Sequence, residues 1–288
     1  MTSIAATIAQ AASRLASGPH PERVRLDAET LLLHLLDTNK AWLLAHADEE
    51  VAPATAKRYN DRIERRFHGE PIQYIAGVCE FYGLPFRVTT DVLIPRPETE
   101  HLVEKAIALA ATWNHPHIVD VGTGSGAIAI ALAHALPKAQ ITAVDLSPAA
   151  LDVARDNAER NHVSTRIRFL PSDLLMGFEN HRFDLIVSNP PYVPLGERAA
   201  LAVEVREHEP AMALFAGEDG LEIYRRLIPA AFRVLSSGGS LVVEIGYGQA
   251  EAVRHLFELS GFQGIEFAAR DQRFDICDPL GHLADTGR

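Results

Sequence analysis

Apolar residues recur at three- and four-residue spacing from Ser3 to about Phe67, most clearly at Leu31, Leu32, Leu35 and Leu36 and again around Trp42, Leu43 and Leu44. That period places side chains on one face of a helix, so the pattern predicts a small all-α N-terminal domain. Gly18-Pro19-His20-Pro21 and Val51-Ala52-Pro53 interrupt it, and Gly69-Glu70-Pro71 closes it, because proline and glycine end helical runs. From Phe81 to Pro97 the chain reads as extended, and Phe86-Arg87-Val88 with Val92-Leu93-Ile94 predict the strands of a connecting hairpin. Beyond Glu98 short apolar runs alternate with helical patterns. Strands are expected near Ile118-Val121, Ile141-Leu146, Ile167-Leu170, Asp184-Ser188 and Leu241-Ile245, and helices near Ala127-Leu136, Ala149-Arg160 and Leu221-Leu235. Such alternation predicts an α/β domain built on a doubly wound, mostly parallel sheet. Ile265-Ala268 and Arg273-Cys277 are expected to add an antiparallel pair at its edge. The expected division is a helical domain over 1–77, a hairpin linker over 78–97 and the sheet domain over 98–288.

Composition narrows the classes. A chain of 288 residues with 47% hydrophobic and 23% charged residues supports a folded core and excludes a disordered or fibrous architecture. Asp and Glu outnumber Lys and Arg by 38 to 27, a formal charge of −11, which disfavours bulk binding to a phosphate backbone. Cys79 and Cys277 are the two cysteines, too few for a disulfide framework or a four-cysteine zinc site, and a reducing cytoplasmic setting is expected. No apolar run reaches the roughly 18 residues of a membrane span. The stretch Ile4 to Ala12 has no basic residue before it, the first being Arg14, so it reads as an amphipathic helix rather than a secretory signal.

Asp120-Val121-Gly122-Thr123-Gly124-Ser125-Gly126 follows the first strand of the sheet domain and opens an Ala/Ile-rich helix. Glycines there let the backbone approach a ligand where side chains would collide. The spacing departs from the dinucleotide fingerprint, since Gly126 comes two residues after Gly124, and the Lys-Ser/Thr ending of a phosphate loop is missing. Asp145 closes the second strand, where a carboxylate can grip ribose hydroxyls. Ser172-Asp173-Leu174 follows the third, offering a polar group and an apolar face to an adenine ring. Singly, each has a plainer reading as a tight turn, a helix-terminus charge or a cap; in this order they point to S-adenosylmethionine.

Asn189-Pro190-Pro191-Tyr192 stands directly after the fourth strand. Two prolines fix φ and donate no N–H, so nearby carbonyls stay open to a substrate. The Asn189 side chain and the Pro190 carbonyl can accept both hydrogens of a planar NH₂ group, and Tyr192 can stack on it. Positioning with fixed dipoles then carries methyl transfer without a strong base. The motif limits the acceptor to an amide or exocyclic amine nitrogen.

These motifs resemble the bacterial release-factor glutamine methyltransferases, and the likeness extends over nearly the whole chain. It includes Gly69-Glu70-Pro71-Ile72-Gln73-Tyr74-Ile75-Ala76-Gly77, the specific run Leu93-Ile94-Pro95-Arg96-Pro97-Glu98-Thr99-Glu100, and Glu209-Pro210 with Ala213-Leu214 ahead of Gly217-Glu218-Asp219-Gly220-Leu221. The resemblance implies a class I methyltransferase-type fold with a small all-α N-terminal domain for substrate recognition. It implies cofactor contacts at Gly122, Thr123, Gly124, Ser125, Gly126, Asp145, Asp173, Leu174 and Asn189. It assigns the substrate glutamine to Asn189, Pro190, Pro191 and Tyr192, with Asn189, Pro190 and Tyr192 as the catalytic set. Leu174 lies where some relatives carry an aromatic, so apolar packing is implied there. The implied substrate is the glutamine of a Gly-Gly-Gln loop in class 1 peptide chain release factors, the product is N5-methylglutamine, and no metal is required. A monomer with no stable nucleic-acid partner and no membrane association is expected.

Other residues carry plainer expectations. Arg96 either orients a substrate loop or braces the linker, Glu98 and Glu100 favour a helix N-terminus, and Glu244 satisfies a local hydrogen bond. Phe81 and Tyr82 are expected to be buried in the hairpin rather than to wall a pocket. One rival is methylation of an adenine or guanine amine, which the same tetrapeptide can serve on a flipped base. A catalytically silent cofactor-binding module is a second, opposed by the intact Asn-Pro-Pro-Tyr.

Overall fold

A computed structural model describes residues 2–270 and 274–279. Two compact units divide it: Met1–Val78 with Leu201–His208, and Cys79–Ala200 with the chain from Glu209 onward. The hairpin region therefore groups with the sheet, and a short piece of the expected sheet domain groups with the helices.

The helical unit begins with α1 (Ile4–Leu15), α2 (Val24–Leu36), α3 (Lys40–Ala45), α4 (Pro53–Phe67) and α5 (Ile72–Ala76). Each boundary has a local cause. Ser3 caps α1 by accepting from Ala6 N, Asn39 caps α3 by accepting from Trp42 N, and Pro53 occupies the first turn of α4, where its missing N–H costs nothing. Ala28, Leu31 and Leu32 of α2 meet Ile4, Ile8 and Leu15 of α1 and Tyr59 and Ile63 of α4 in one buried cluster. The Tyr59 hydroxyl donates to the Ala28 carbonyl at 2.8 Å, which satisfies the ring's polar end inside that core.

The second unit opens with a hairpin of β1 (Val78–Phe81) and β2 (Leu84–Arg87). The hairpin lies upstream of the expected position, and Val92-Leu93-Ile94 is not a strand. Its reversal is the pair Tyr82-Gly83, at φ 52° and 70°, a two-residue turn with both φ positive that matches strand twist. A Tyr at the first turn position hides this signal. Phe81 is buried and Tyr82 packs against the same cluster, as expected. Then follow α6 (Thr99–Ala110), β3 (His117–Val121), α7 (Ala127–Ala135), β4 (Gln140–Asp145), α8 (Pro148–Arg160), β5 (Ile167–Pro171) and β6 (Phe183–Ser188). After α9 (Val203–His208), which belongs to the helical unit, come α10 (Glu222–Val234), β7 (Leu235–Gly246), α11 (Ala250–Leu259), β8 (Ile265–Arg270) and β9 (Phe274–Pro279). Helix α11 is not among the expected elements, and β7 starts earlier than expected because Ser236-Ser237-Gly238-Gly239 has the composition of a turn. A register shift between Phe183 and Leu185 absorbs this stretch into the ladder.

The seven-stranded sheet has the order β5-β4-β3-β6-β7-β9-β8. Strands β3 to β7 pair in parallel, and β9 and β8 close it antiparallel. The antiparallel pair is as expected, although Arg273 lies outside the described residues. Both faces are covered, so the strands read as continuous apolar runs. Leu185, Val187 and Val242 face the cluster of α6 and α7, whereas Ile186, Leu241, Val243 and Ile245 face that of α10 and α11. Winding to both sides of β3 leaves a crevice beyond the carboxyl ends of β3, β4 and β6. No helix among the described residues is long and apolar enough to cross a membrane.

In the helical unit Arg66 is almost fully withdrawn from water. Its Nε donates to Asp27 Oδ2 at 2.7 Å, Nη1 donates to the Glu70 carbonyl at 3.1 Å, and Nη1 also meets Glu204 of α9. Removing one partner of a buried pair leaves an uncompensated charge. Asp27→Ala is therefore expected to destabilise this unit by about 3 kcal/mol. Urea unfolding followed by Trp42 fluorescence in a Trp113→Phe background checks it, and an unmoved midpoint counts against the role given to Asp27.

Candidate active site

A cavity of about 390 Å³ opens at the carboxyl ends of β3, β4 and β6. Gly122, Thr123, Gly124, Ser125, Asp145, Asp173, Leu174, Asn189, Pro190 and Pro191 all line it. Gly126 and Tyr192 lie outside the wall.

The glycine loop is held by backbone and carboxylate together. Gly122 N and Thr123 N both donate to the Val144 carbonyl at 2.9 Å, and Gly124 N donates to Asp145 Oδ2 at 2.8 Å. Gly122 and Gly124 have φ 74° and 54°, and a Cβ on either would meet open space. Their conformation, not crowding by the protein, excludes side chains, and the space in front is left to a ligand. Gly126 differs: its φ is 83°, and a Cβ would come within 3.0 Å of Ile130 Cδ1 and 3.1 Å of Ala154 Cβ, so it serves close packing of α7 on α8. Asn157 ties the loop down by donating to the Ser125 and Arg87 carbonyls at 2.9 Å while accepting from Arg87 N at 2.7 Å. A lone polar residue on the apolar face of α8 was the available signal for it.

Asp145 accepts from Ser147 N at 2.9 Å as well as from Gly124 N. A carboxylate has about four lone-pair sites, so it keeps capacity for ligand hydroxyls. Burial raises its pKa, partly opposed by these backbone donors. Asp120, fully buried near the end of β3, accepts from Thr123 Oγ1 at 2.6 Å and Ala129 N at 3.2 Å, while its Oδ1 has no hydrogen-bond partner among the described residues. Burial pushes its pKa up to about 7. Leu174 sits at φ 53°, a left-handed conformation unusual for a branched side chain. Together with Leu146 and Ala150 it makes the cavity's apolar wall. Asp173 is held by Arg226 Nη2 at 2.6 Å. A nucleoside fits this donor set and the open glycine cradle.

The other wall carries Asn189. Its Nδ2 donates to Thr99 Oγ1 at 3.0 Å, and Thr99 Oγ1 donates to Glu244 Oε2 at 2.7 Å. Glu244 is buried on β7, and burial raises its pKa to about 7, with Glu98 adding to the rise and Arg96 opposing it. The Tyr192 hydroxyl lies 3.5 Å from Glu244 Oε1, and its pKa is raised chiefly by burial. The Tyr192 carbonyl accepts from Gln249 Nε2 at 3.0 Å, and a Cβ on Gly220 would come within 2.3 Å of that carbonyl oxygen. The tetrapeptide is thus clamped from behind by Gln249 and Gly220, whose roles no local pattern reveals. Arg96 lines the cavity and donates to both oxygens of buried Glu209 at 2.6 and 2.8 Å. Glu100 accepts from Tyr82 N at 2.8 Å, joining α6 to the hairpin turn.

Residues 6–77 match the family model of the PrmC N-terminal domain, and residues 99–206 match that of the methyltransferase small domain. A release factor glutamine methyltransferase of Moorella thermoacetica is 43% identical, over 93% of this chain and 95% of its own. Another, from Koribacter versatilis, is 46% identical over 81% and 82%. Among solved structures, the hMettl16 catalytic domain in complex with a MAT2A 3′UTR hairpin superposes with a TM-score of 0.59 at 16% identity, covering 82% of this chain and 84% of that one. That likeness is one of fold.

A carboxyl whose folded pKa stands above its unfolded value binds more protons when folded, so its contribution to stability falls as pH rises between the two values. For Asp120 that window runs from about 4, the unfolded value, to about 7. Asn in its place does not titrate. The wild type is expected to lose stability relative to Asp120→Asn as pH rises through this window, by at most ~1.4 kcal/mol per pH unit. Denaturant titrations of both proteins at several pH values test this, and a constant difference would refute it.

Proposed function

The chain belongs to the release factor glutamine methyltransferase family, and we propose that it transfers a methyl group from S-adenosylmethionine to the side-chain nitrogen of the glutamine in a release factor's Gly-Gly-Gln loop. The observation that carries this reading is one cavity walled by a glycine cradle with Asp145 on one side and by Asn189-Pro190-Pro191 on the other. When bound, S-adenosylmethionine supplies an electrophilic methyl group on a positively charged sulfur. Gly122 and Gly124 would admit the ligand to their backbone, Asp145 would accept hydrogen bonds from its hydroxyls, and Leu146 and Leu174 would offer its flat ring an apolar surface. The Asn189 carbonyl oxygen and the Pro190 carbonyl accept the two N–H groups of the substrate amide and hold its nitrogen toward the methyl group. The nitrogen forms its bond to the methyl carbon as the carbon–sulfur bond breaks, the electron pair staying on sulfur as a neutral thioether, and it releases one N–H proton to water, leaving a neutral N-methylamide. Half-buried, with its hydroxyl 3.5 Å from Glu244, Tyr192 supports the tetrapeptide from behind, and this placement favours bracing over stacking.

The helical unit is assigned to recognition of the release factor. The enzyme acts as a cytoplasmic monomer without a stable nucleic-acid partner. Its surplus of negative charge supports the lack of a stable nucleic-acid partner. Methylation of a nucleic-acid amine is not favoured by the same charge or by the relatives.

In an assay with labelled S-adenosylmethionine, label is expected on a purified class 1 release factor, to be absent from its Gln-to-Asn variant, and to be absent from tRNA and DNA. Label on nucleic acid alone would overturn the substrate. Asn189→Ala should lower the rate by about 100-fold or more with cofactor affinity within a few fold, and Asp145→Ala should weaken cofactor binding by about tenfold or more. Loss of cofactor affinity in Asn189→Ala, or a normal titration for Asp145→Ala, would undo this division of roles.

A further inference from the structure

Asn189 can serve the amide only with its oxygen toward the cavity, yet an asparagine side chain is nearly symmetric in shape. Something must choose between its two ends. Thr99, the first residue of α6, stands beside Asn189 Nδ2 at 3.0 Å and beside Glu244 Oε2 at 2.7 Å. A hydroxyl owns one proton and otherwise accepts, and an ionised carboxylate accepts only. With its proton committed to Glu244, Thr99 can offer Asn189 nothing but a lone pair. The end of the amide facing Thr99 must then be NH₂, and Oδ1 is turned to the substrate side. All three residues are drawn out of bulk water, Thr99 and Glu244 to 4% and 1% exposure, so an inverted amide would leave the Asn189 oxygen facing the hydroxyl's lone pairs with no solvent to relieve it.

We propose that Thr99, held as a donor by Glu244, is the positioning residue that sets the orientation of the Asn189 amide and so makes Asn189 an acceptor for the substrate nitrogen. The inference rests on the methyl-transfer reading and assigns it two residues outside the Asn-Pro-Pro-Tyr motif. Their arrangement joins three separate elements: the start of α6, the residue directly after β6 and the C-terminal end of β7. Thr99 touches no reacting atom. Its effect is expected on turnover, through the fraction of Asn189 side chains presenting oxygen, and not on affinity for either ligand.

The test compares wild type, Thr99→Val and Thr99→Ser at about pH 8.5, where Glu244 is ionised. Initial rates are measured against release-factor concentration, and S-adenosylmethionine affinity is measured by calorimetry. Thr99→Val keeps the shape and removes the hydroxyl; kcat is expected to fall roughly 10- to 100-fold with KM and cofactor affinity within about threefold, and Thr99→Ser should restore most of the rate. An unchanged kcat in Thr99→Val, or a loss shared by kcat, KM and cofactor affinity that Thr99→Ser does not repair, would overturn the proposal. A second measurement needs no folded variant at position 99. In wild-type protein carrying ¹⁵N-asparagine, with Asn189→Ala identifying the signal, the Asn189 side-chain NH₂ should exchange with water at least about tenfold more slowly than that of exposed Asn60, and equal exchange would overturn the lock. If the wild type left the release factor unlabelled, the substrate reading would fall while this exchange measurement still decided the orientation of Asn189.

Discussion

A polar group taken out of water has to find a partner inside the protein or carry its desolvation as a loss, and this requirement shapes both walls of the cavity. On the cofactor side Asp145 is stabilised by backbone N–H groups from the glycine loop and from the start of α8. The same bonds that satisfy the carboxylate hold the loop in its left-handed glycine conformations. On the substrate side Glu244, Thr99 and Asn189 satisfy one another in sequence. Burial therefore dictates which end of each group faces the ligand. Neither wall relies on a long side chain reaching from the surface.

The two walls differ in their electrostatic character, and the difference suits the chemistry. Among the described residues one oxygen of Asp120 has no hydrogen-bond partner near the loop, and Asp145 lies close enough to raise the Asp120 pKa further. Two carboxyls in this region make it favourable ground for a positive charge and poor ground for a polyphosphate. Across the cavity Arg96 is neutralised by Glu209, so among the described residues the Asn189 wall presents acceptors and no unpaired cation. A neutral amide nitrogen needs acceptors and alignment; a phosphate-bearing substrate would need exposed positive charge.

Much of this was legible in the chain, and for identifiable reasons. Parallel strands buried on both faces announce themselves as unbroken apolar runs, which is why β3, β4 and β6 fell close to their expected positions. The ligand-facing residues are legible because they sit at strand ends in loops of unusual composition. What escaped reading has two causes: a turn of atypical composition, and partners that are distant in sequence. The hairpin turns on Tyr82-Gly83, where a tyrosine masks a glycine-type turn and tertiary packing of Phe81 against Phe86 decides the register. Asn157 and Gln249 act on segments 32 to 70 residues away, and Gly220 by a near contact to Tyr192 that exists only once the sheet is wound. The piece Leu201–His208 belongs to the helical unit because Glu204 meets Arg66, 138 residues earlier, and no local pattern can signal such a pairing.

The arrangement also explains why a motif of four residues does not suffice by itself. Two prolines free the carbonyls near Asn189, but they do not determine which way its amide lies, and Tyr192, clamped through its carbonyl by Gln249, has its hydroxyl turned to Glu244 rather than to the cavity. The Asn189 amide is held by Thr99 at the start of α6, which is held in turn by Glu244 on β7. A family resemblance read from the motif alone captures the class of chemistry because the acceptors are in the motif. The orientation of those acceptors resides in the packing of the sheet, where Glu244 must be satisfied whether or not a substrate is present.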